Sequence, residues 1–161
     1  MPHEPALILI MCTGNVCRSP MAEALMRHRL AEQGVQAQVL SRGLAAPAGR
    51  APHPFAINTA QHFGVPLPDD KRAAQVNPVD LRAALIVLVM DAGHRRQVQE
   101  RYPSAGGKTF LLRHWLDGQD IADPLNEPED VFRAQWPLID EGCQSWISQL
   151  LKAGMLPSPR P

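Results

Sequence analysis

Two short, almost wholly apolar runs, at residues 6–11 and 85–90, place the strongest constraint on the fold of this chain. Runs of this length fit strands that are buried on both faces of a parallel sheet. Weaker strand candidates lie at residues 37–41 and 108–112. Stretches with helical patterns separate the strands, at residues 20–33, 54–63, 77–83, 92–102 and within 127–153.

This alternation of strands and helices predicts an α/β fold. Parallel strands joined through helices form a sheet with right-handed crossovers, and the helices cover both of its faces. The 161 residues are enough for one such domain with its own core. We place that domain at residues 1–155 and expect residues 156–161, which read LPSPRP, to be a disordered tail.

The composition excludes several classes of function. Sixteen basic residues balance sixteen acidic ones, which argues against binding to nucleic acid or to an acidic membrane surface. The apolar runs are too short for membrane insertion, and no secretory signal is recognisable, so we expect a cytoplasmic protein. Three cysteines suggest reduced thiols, and the six histidines have no metal-ligand spacing, so we expect no metal.

The segment after the first strand is the candidate site, because ligands of open α/β sheets bind at the carboxyl ends of the strands. It reads CTGNVCRSP, from Cys12 to Pro20, and leads into a helix. Successive backbone N–H groups and the helix N-terminus favour an anion there, and Gly14 and Asn15 tolerate the positive φ of a tight loop. The spacing fits neither the dinucleotide fingerprint nor the nucleotide-triphosphate loop.

A cysteine and an arginine six positions apart suit phosphoryl transfer. The thiolate is the reactive form of cysteine, and the loop N–H groups and the Arg18 guanidinium would stabilise it on Cys12. The planar fork of Arg18 can bind two phosphoryl oxygens at once. Ser19 can donate its hydroxyl to the sulfur. The alternative is that Cys12 is a buried strand-end residue and that Asn15 and Ser19 serve only the turn and the helix cap.

The pattern Cys-x5-Arg-Ser resembles the signature of protein tyrosine phosphatases, and the full string from Cys12 to Pro20 resembles their low-molecular-weight class. The resemblance implies a four-stranded parallel sheet in the order 2-1-3-4, no cofactor, and hydrolysis of phosphotyrosine through a phosphocysteine intermediate on Cys12. For the oligomeric state, a monomer is the default expectation. The substrate-binding residues of the loop would be Thr13, Gly14, Asn15, Val16, Cys17 and Ser19.

The resemblance also places a general acid in Asp123-Pro124, after the fourth strand candidate. Asp123 would protonate the leaving oxygen and then activate water, while Pro124 would stiffen the loop. An ordinary turn aspartate is the alternative, and Asp120 is the second candidate for the acid. Ser41 matches a family serine that supports the loop asparagine, and the alternative is an ordinary serine at the end of a strand.

The predicted substrate pocket departs from the family pattern in its walls. Many members have a tyrosine just after Asp-Pro, where this chain has Leu125. The segment after Ser41 has Leu44 and no aromatic residue. We therefore expect Leu44 and Leu125 to provide apolar contact with the substrate in place of aromatic rings; the alternative is that the preferred substrate differs.

Two further expectations come from the resemblance. Cys17 would form a reversible disulfide with Cys12 that protects the nucleophile from over-oxidation, the alternative being a small packing residue. Residues 108–115, followed by Asp123-Pro124, resemble the bacterial branch whose members partner tyrosine autokinases of exopolysaccharide export. A phosphotyrosine protein, such as a kinase of that kind, is thus the expected partner.

Two rival functions share the loop chemistry. Thioredoxin-coupled arsenate reductases resemble this fold and loop, but they need two further cysteines about seventy residues on, and this chain has none between Cys17 and Cys143. A non-catalytic phosphopeptide-binding module would keep Arg18 but lose the nucleophile or the acid. Since Cys12, Arg18 and Asp123 are all present, the phosphatase is the favoured reading.

Overall fold

A four-stranded parallel sheet forms the centre of the computed structural model, which describes residues 5–159. Its strands lie in the spatial order β2-β1-β3-β4, which confirms the predicted fold class. They span β1 at Leu7–Cys12, β2 at Gln38–Gly43, β3 at Ala84–Val89 and β4 at Thr109–Leu111. The second strand runs farther than predicted because its parallel pairing with β1 continues to Met11↔Arg42 and Cys12↔Gly43.

Five α-helices and one short 3-10 helix connect and cover the strands. They are α1 at Arg18–Glu32, α2 at Pro54–His62, α3 at Pro78–Ala83, α4 at Ala92–Arg101, the 3-10 helix at Pro103–Lys108, and α5 at Glu129–Lys152. As the sequence predicts, the Asn77 side chain caps α3 by accepting a hydrogen bond from the Asp80 N–H at 2.9 Å. Within residues 5–159, no helix is both long and apolar enough to cross a membrane.

The buried side chains of β1 separate into two cores, one on each face of the sheet. Ile8 and Ile10 belong to a core that includes residues of α1, α2 and α5, whereas Leu7, Leu9 and Met11 belong to a core with residues of α3 and α4. Alternate residues of a strand point to opposite faces. A strand that is apolar throughout therefore requires helices on both sides, and three layers result.

The predicted start of the disordered tail is wrong. Leu156 is buried in the larger core, together with Leu150 and Trp146 of α5. Its apolar side chain returns to the core after the chain leaves the helix through Gly154, whose φ of 70° reverses the direction of the chain. Residues 157–159 are exposed, and the last two residues of the predicted tail lie outside the described part of the chain.

Candidate active site

The loop between β1 and α1 curls around the sulfur of Cys12. Asn15 stands at a φ of 56°, which turns its backbone N–H toward the Cys12 Sγ at 3.2 Å. The Ser19 hydroxyl lies 2.9 Å from the same sulfur. No acidic residue occupies the first turn of α1, so the positive end of the helix dipole is not opposed there. The loop thus surrounds the sulfur with groups that stabilise an anion.

The Asn15 side chain holds the loop in this strained shape. Its Nδ2 donates to the Ser19 Oγ at 2.8 Å and to the Ser41 Oγ at 2.9 Å, and its Oδ1 accepts from the Ala74 N–H at 3.0 Å. The contact predicted between Ser41 and the loop asparagine is therefore present. Three hydrogen bonds offset the cost of the left-handed conformation, which is otherwise unfavourable for a residue with a side chain.

Gly43 allows the loop to lie directly against β2. A Cβ at this position would meet the Thr13 carbonyl oxygen at 2.7 Å and the Ala46 Cβ at 2.9 Å, which is too close for real atoms. Any side chain here would push the loop away from the strand end. We therefore assign Gly43 a steric role in the site that the sequence did not indicate.

The Arg18 guanidinium is buried, and only some of its N–H donors have hydrogen-bond partners. Its NH1 donates to the Ile121 carbonyl oxygen at 2.6 Å and to the Asp91 Oδ2 at 3.2 Å. Its Nε has no hydrogen-bond partner within residues 5–159. A buried charged donor without a partner is costly, and a phosphoryl oxygen beside the loop would satisfy it.

The acid loop, which we define as residues 120–123, is fixed to the rest of the site by one backbone and one side-chain hydrogen bond. The Ile121 N–H donates to the Met90 carbonyl at 2.8 Å, and the Ala92 N–H donates to the Asp120 Oδ1 at 3.1 Å. Asp123 remains half-exposed, with its Oδ2 3.9 Å from the Arg18 NH2. Asp123 thus faces the Arg18 guanidinium, whereas Asp120 is engaged in holding the loop.

A cavity of about 440 Å³ opens between the two loops. The residues that line it are Cys12, Thr13, Gly14, Val16, Cys17, Arg18, Ala45, Ala46, Pro47, Arg50, Asp123 and Leu125. Leu125 is 46% exposed at its mouth, in the position that the sequence predicts. The walls are mostly apolar, and the charged residues that line the cavity are Arg18, Arg50 and Asp123.

The prediction that Leu44 lines this cavity is wrong. Its side chain is buried in the smaller core with Met11 and Val76. The backbone of Leu44 continues the pairing with β1, since its N–H donates to the Cys12 carbonyl at 3.0 Å. The alternation of an extended chain then directs the side chain to the far face of the sheet. The wall consists of residues 45–47 instead.

All three cysteines are free, buried thiols. Burial raises the pKa of Cys17 to about 12, and the negative charges on Cys12 and Asp123 add to this while the Arg18 charge opposes it. Burial also raises the pKa of Cys143 far above its usual range. Cys17 therefore stays a neutral thiol at physiological pH, and its predicted disulfide with Cys12 stays a prediction.

Iodoacetamide at pH 7 is expected to label Cys12 and to spare Cys17. Only the thiolate reacts rapidly with the reagent, and the Cys17 thiol remains protonated until the pH approaches about 12. Peptide mapping by mass spectrometry after brief labelling would give the ratio of the two products. Inorganic phosphate in the cavity should slow labelling of Cys12. Comparable labelling of both residues would contradict this expectation.

Two side chains that the sequence did not indicate support the site. Gln135 of α5 donates its Nε2 to the Ala122 carbonyl at 2.6 Å and so reaches the acid loop directly beside Asp123. His94 of α4 lies with its Nε2 2.9 Å from the Thr13 Oγ1. Gln135 and His94 lie 13 and 81 positions from the residues they contact, and neither belongs to a local motif.

Gln135→Met is expected to lower kcat for phenyl phosphate by about three- to tenfold, as one buried hydrogen bond is lost. Methionine keeps the length of the side chain but releases the Ala122 carbonyl, and Asp123 then occupies its productive position less often. Gln144→Met is the matched control, because Gln144 is exposed and, within residues 5–159, its side chain bonds only to Asp140 on its own helix. Equal kinetics for both variants would show that Gln135 does not position the acid loop.

Comparisons with known proteins agree with the site. A model of the family described as low molecular weight phosphotyrosine protein phosphatase matches residues 7–155. The chain is 34% identical to the crystal structure of the Erwinia amylovora tyrosine phosphatase AmsI, with a TM-score of 0.83 over 91% of this chain and 93% of that one. The low molecular weight protein-tyrosine-phosphatase Etp of Escherichia coli is 32% identical over 89% of this chain and 93% of its own length.

The similarity extends to a phosphatase of another specificity. The structure of the YwlE arginine phosphatase from Geobacillus stearothermophilus superposes with a TM-score of 0.83 at 32% identity, over 94% of this chain and 96% of that one. The same fold thus occurs in phosphatases of two specificities. The chain itself belongs to the low molecular weight protein tyrosine phosphatase family.

Proposed function

We propose that this protein hydrolyses phosphotyrosine and other aryl phosphate monoesters through a phosphocysteine intermediate on Cys12. The observation that carries the proposal is the buried Arg18 Nε, which has no hydrogen-bond partner within residues 5–159. Arg18 lines the same cavity as Cys12 and Asp123. Nucleophile, anion-binding group and acid all come from one chain, so the site is complete in a monomer.

In the first step the Cys12 thiolate attacks phosphorus and forms the P–S bond. The P–O bond to the aryl group breaks, and the leaving oxygen takes the proton of the Asp123 carboxyl group. Arg18 and the loop N–H groups bind the three equatorial oxygens, where charge is spread in the transition state. Ser19 contributes little at this stage because the sulfur is losing its negative charge.

In the second step the Asp123 carboxylate takes a proton from water, and the oxygen of that water attacks phosphorus. The P–S bond breaks, and the products are inorganic phosphate and the Cys12 thiolate. The Ser19 hydroxyl, 2.9 Å from the sulfur, stabilises the departing thiolate by donating a hydrogen bond. Asp123 has then regained its proton, and the cycle closes without metal or cofactor.

The walls of the cavity support an aryl substrate. Val16, residues 45–47 and Leu125 offer apolar contact to a planar ring. A phosphorylated guanidinium, in contrast, carries N–H donors that need acceptors. Among the residues that line the cavity, Asp123 provides the only carboxylate, and the mechanism requires it for the leaving atom. Tyrosine phosphate therefore fits this cavity better than arginine phosphate.

The test compares two peptides of identical sequence that carry either phosphotyrosine or phosphoarginine. We expect kcat/KM to be at least about tenfold higher for phosphotyrosine, the difference that roughly 1.4 kcal/mol of unpaired donors would produce. A preference for the phosphoarginine peptide would assign the protein to the second specificity. Failure to hydrolyse either peptide or p-nitrophenyl phosphate would contradict the proposed function altogether.

For the physiological partner we propose a phosphotyrosine protein in the cytoplasm, with a bacterial tyrosine autokinase as the candidate implied by the resemblance. A reducing compartment suits the chemistry, because Cys12 must be a free thiolate to react. Incubation of the phosphatase with an autophosphorylated kinase of this type should remove its phosphotyrosine signal. Persistence of that signal, with p-nitrophenyl phosphate still hydrolysed, would exclude the kinase but not the activity.

A further inference from the structure

A buried histidine links the first residue of the phosphate-binding loop to the carboxylate that holds Arg18. His94 is 2% exposed, and its Nε2 lies 2.9 Å from the hydroxyl of Thr13, the residue after the nucleophile. Asp91 accepts the backbone N–H of His94 through Oδ1 at 2.8 Å and binds Arg18 through Oδ2 at 3.2 Å. The four side chains thus form one connected group behind the loop.

The surroundings of His94 determine which of its ring nitrogens carries the proton. Nδ1 is buried and has no hydrogen-bond partner within residues 5–159, but it lies 3.6 Å from the Asp91 Oδ1. A lone pair on Nδ1 would face a carboxylate and be repelled, whereas an N–H there is attracted to it. The neutral ring then presents its lone pair at Nε2, where the Thr13 hydroxyl can donate.

We propose that His94 is a positioning residue that accepts a hydrogen bond from the Thr13 hydroxyl at Nε2 and thereby fixes the start of the phosphate-binding loop relative to Arg18. An effect of His94 on turnover rests on the proposed function, whereas the effect of the Thr13–His94 contact on anion binding does not. Asp91 acts on both partners at once, since one oxygen faces His94 and the other holds Arg18.

Burial and the surrounding charges keep the His94 ring neutral. Burial lowers the pKa of His94, and the positive charge of Arg18 lowers it further, while the carboxylates of Asp91, Asp123 and Asp120 oppose this change. A lowered pKa leaves the ring neutral near pH 7, with its Nε2 lone pair available. Thr13 also lines the cavity, so its contact with His94 lies next to the proposed anion site.

Nitrogen NMR of the imidazole rings in the intact protein tests the assignment directly. At pH 7 we expect Nδ1 of His94 to carry the proton and Nε2 to resonate as an acceptor nitrogen. Thr13→Val should shift the Nε2 resonance, because valine has the shape of threonine without the hydroxyl. The opposite tautomer, or a doubly protonated ring at pH 7, would overturn the proposal.

Binding of orthovanadate, which needs no turnover, tests the positioning role. Thr13→Val and His94→Asn should each weaken vanadate binding by about fivefold, the size expected for one buried hydrogen bond. The double variant should be no weaker than either single one. His94→Gln, whose amide oxygen reaches the place of Nε2, should restore most of the affinity that His94→Asn loses.

His62→Gln is the matched control, because His62 is an exposed residue at the end of α2, and vanadate affinity should not change. If His94→Asn fails to fold, Thr13→Val still tests the contact between Thr13 and His94, since it leaves His94 in place. Unchanged vanadate affinity in Thr13→Val would overturn the proposal. Inability of the wild-type protein to hydrolyse aryl phosphates, combined with the expected NMR and vanadate results, would contradict the proposed function alone.

Discussion

Cys12→Ser is expected to lower kcat for p-nitrophenyl phosphate by about 10⁴-fold or more, because a neutral hydroxyl replaces the thiolate as nucleophile. The Asn15 N–H and the Ser19 hydroxyl face the sulfur and favour an anion on it, whereas a serine alkoxide is far less accessible. Affinity for inorganic phosphate should change by less than about threefold, since Arg18 and the loop N–H groups remain. Steady-state kinetics and isothermal titration calorimetry would measure the two quantities.

Cys143→Ser provides the matched control for this substitution. Cys143 is equally buried, but it lies on α5, where the hydrogen-bond partner of its thiol among the described residues is the Ala22 carbonyl, at 3.7 Å. A serine hydroxyl can donate to the same carbonyl, and turnover should remain near the wild-type value. Loss of activity in both variants would point to damage of the fold, and full activity in Cys12→Ser would exclude the phosphocysteine intermediate.

The part of the site that the sequence predicts is the part encoded locally. Cys12, Asn15, Arg18 and Ser19 lie within eight residues that join a buried strand to a helix. Their contacts with one another follow from the curl of a single loop. The sheet order was implied by the same motif through the resemblance, and the apolar runs independently required a sheet covered on both faces.

The part that the sequence does not predict depends on pairs of residues far apart in the chain. The contact between Thr13 and His94 joins residues 81 positions apart, and that between Arg18 and Ile121 spans 103 positions. No local pattern marks such partners before the strands are aligned. The error at Leu44 has a related origin, because the side-chain direction depends on how far β2 continues its pairing with β1.

Arg18 connects the phosphate-binding loop with the acid loop, and neither the Cys-x5-Arg-Ser motif nor Asp123-Pro124 implies this connection alone. Its NH1 binds the backbone of Ile121, two residues before the acid, while its Nε remains available for the substrate. Binding of a phosphoryl group at Nε would therefore act on a side chain that already holds the acid loop. Asp120 also holds the acid loop in place, because its Oδ1 accepts a hydrogen bond from the Ala92 N–H.

Asp123→Asn is therefore expected to lower kcat in a manner that depends on the leaving group. For phenyl phosphate we expect a loss of about 10²–10⁴-fold, the usual contribution of a general acid. For p-nitrophenyl phosphate the loss should be at least about tenfold smaller, because the nitrophenolate is stable enough to leave without a proton and the missing acid then matters less.

Asp120→Asn separates the role of the acid from that of the loop. The asparagine oxygen can still accept the Ala92 N–H, so the loop stays in place and kcat for both substrates should fall by no more than about threefold. An equal loss for both substrates in Asp123→Asn would remove the acid role and leave only electrostatic support of Arg18. A larger, leaving-group-dependent loss in Asp120→Asn would transfer the acid role to Asp120, against the geometry that directs Asp123 toward Arg18.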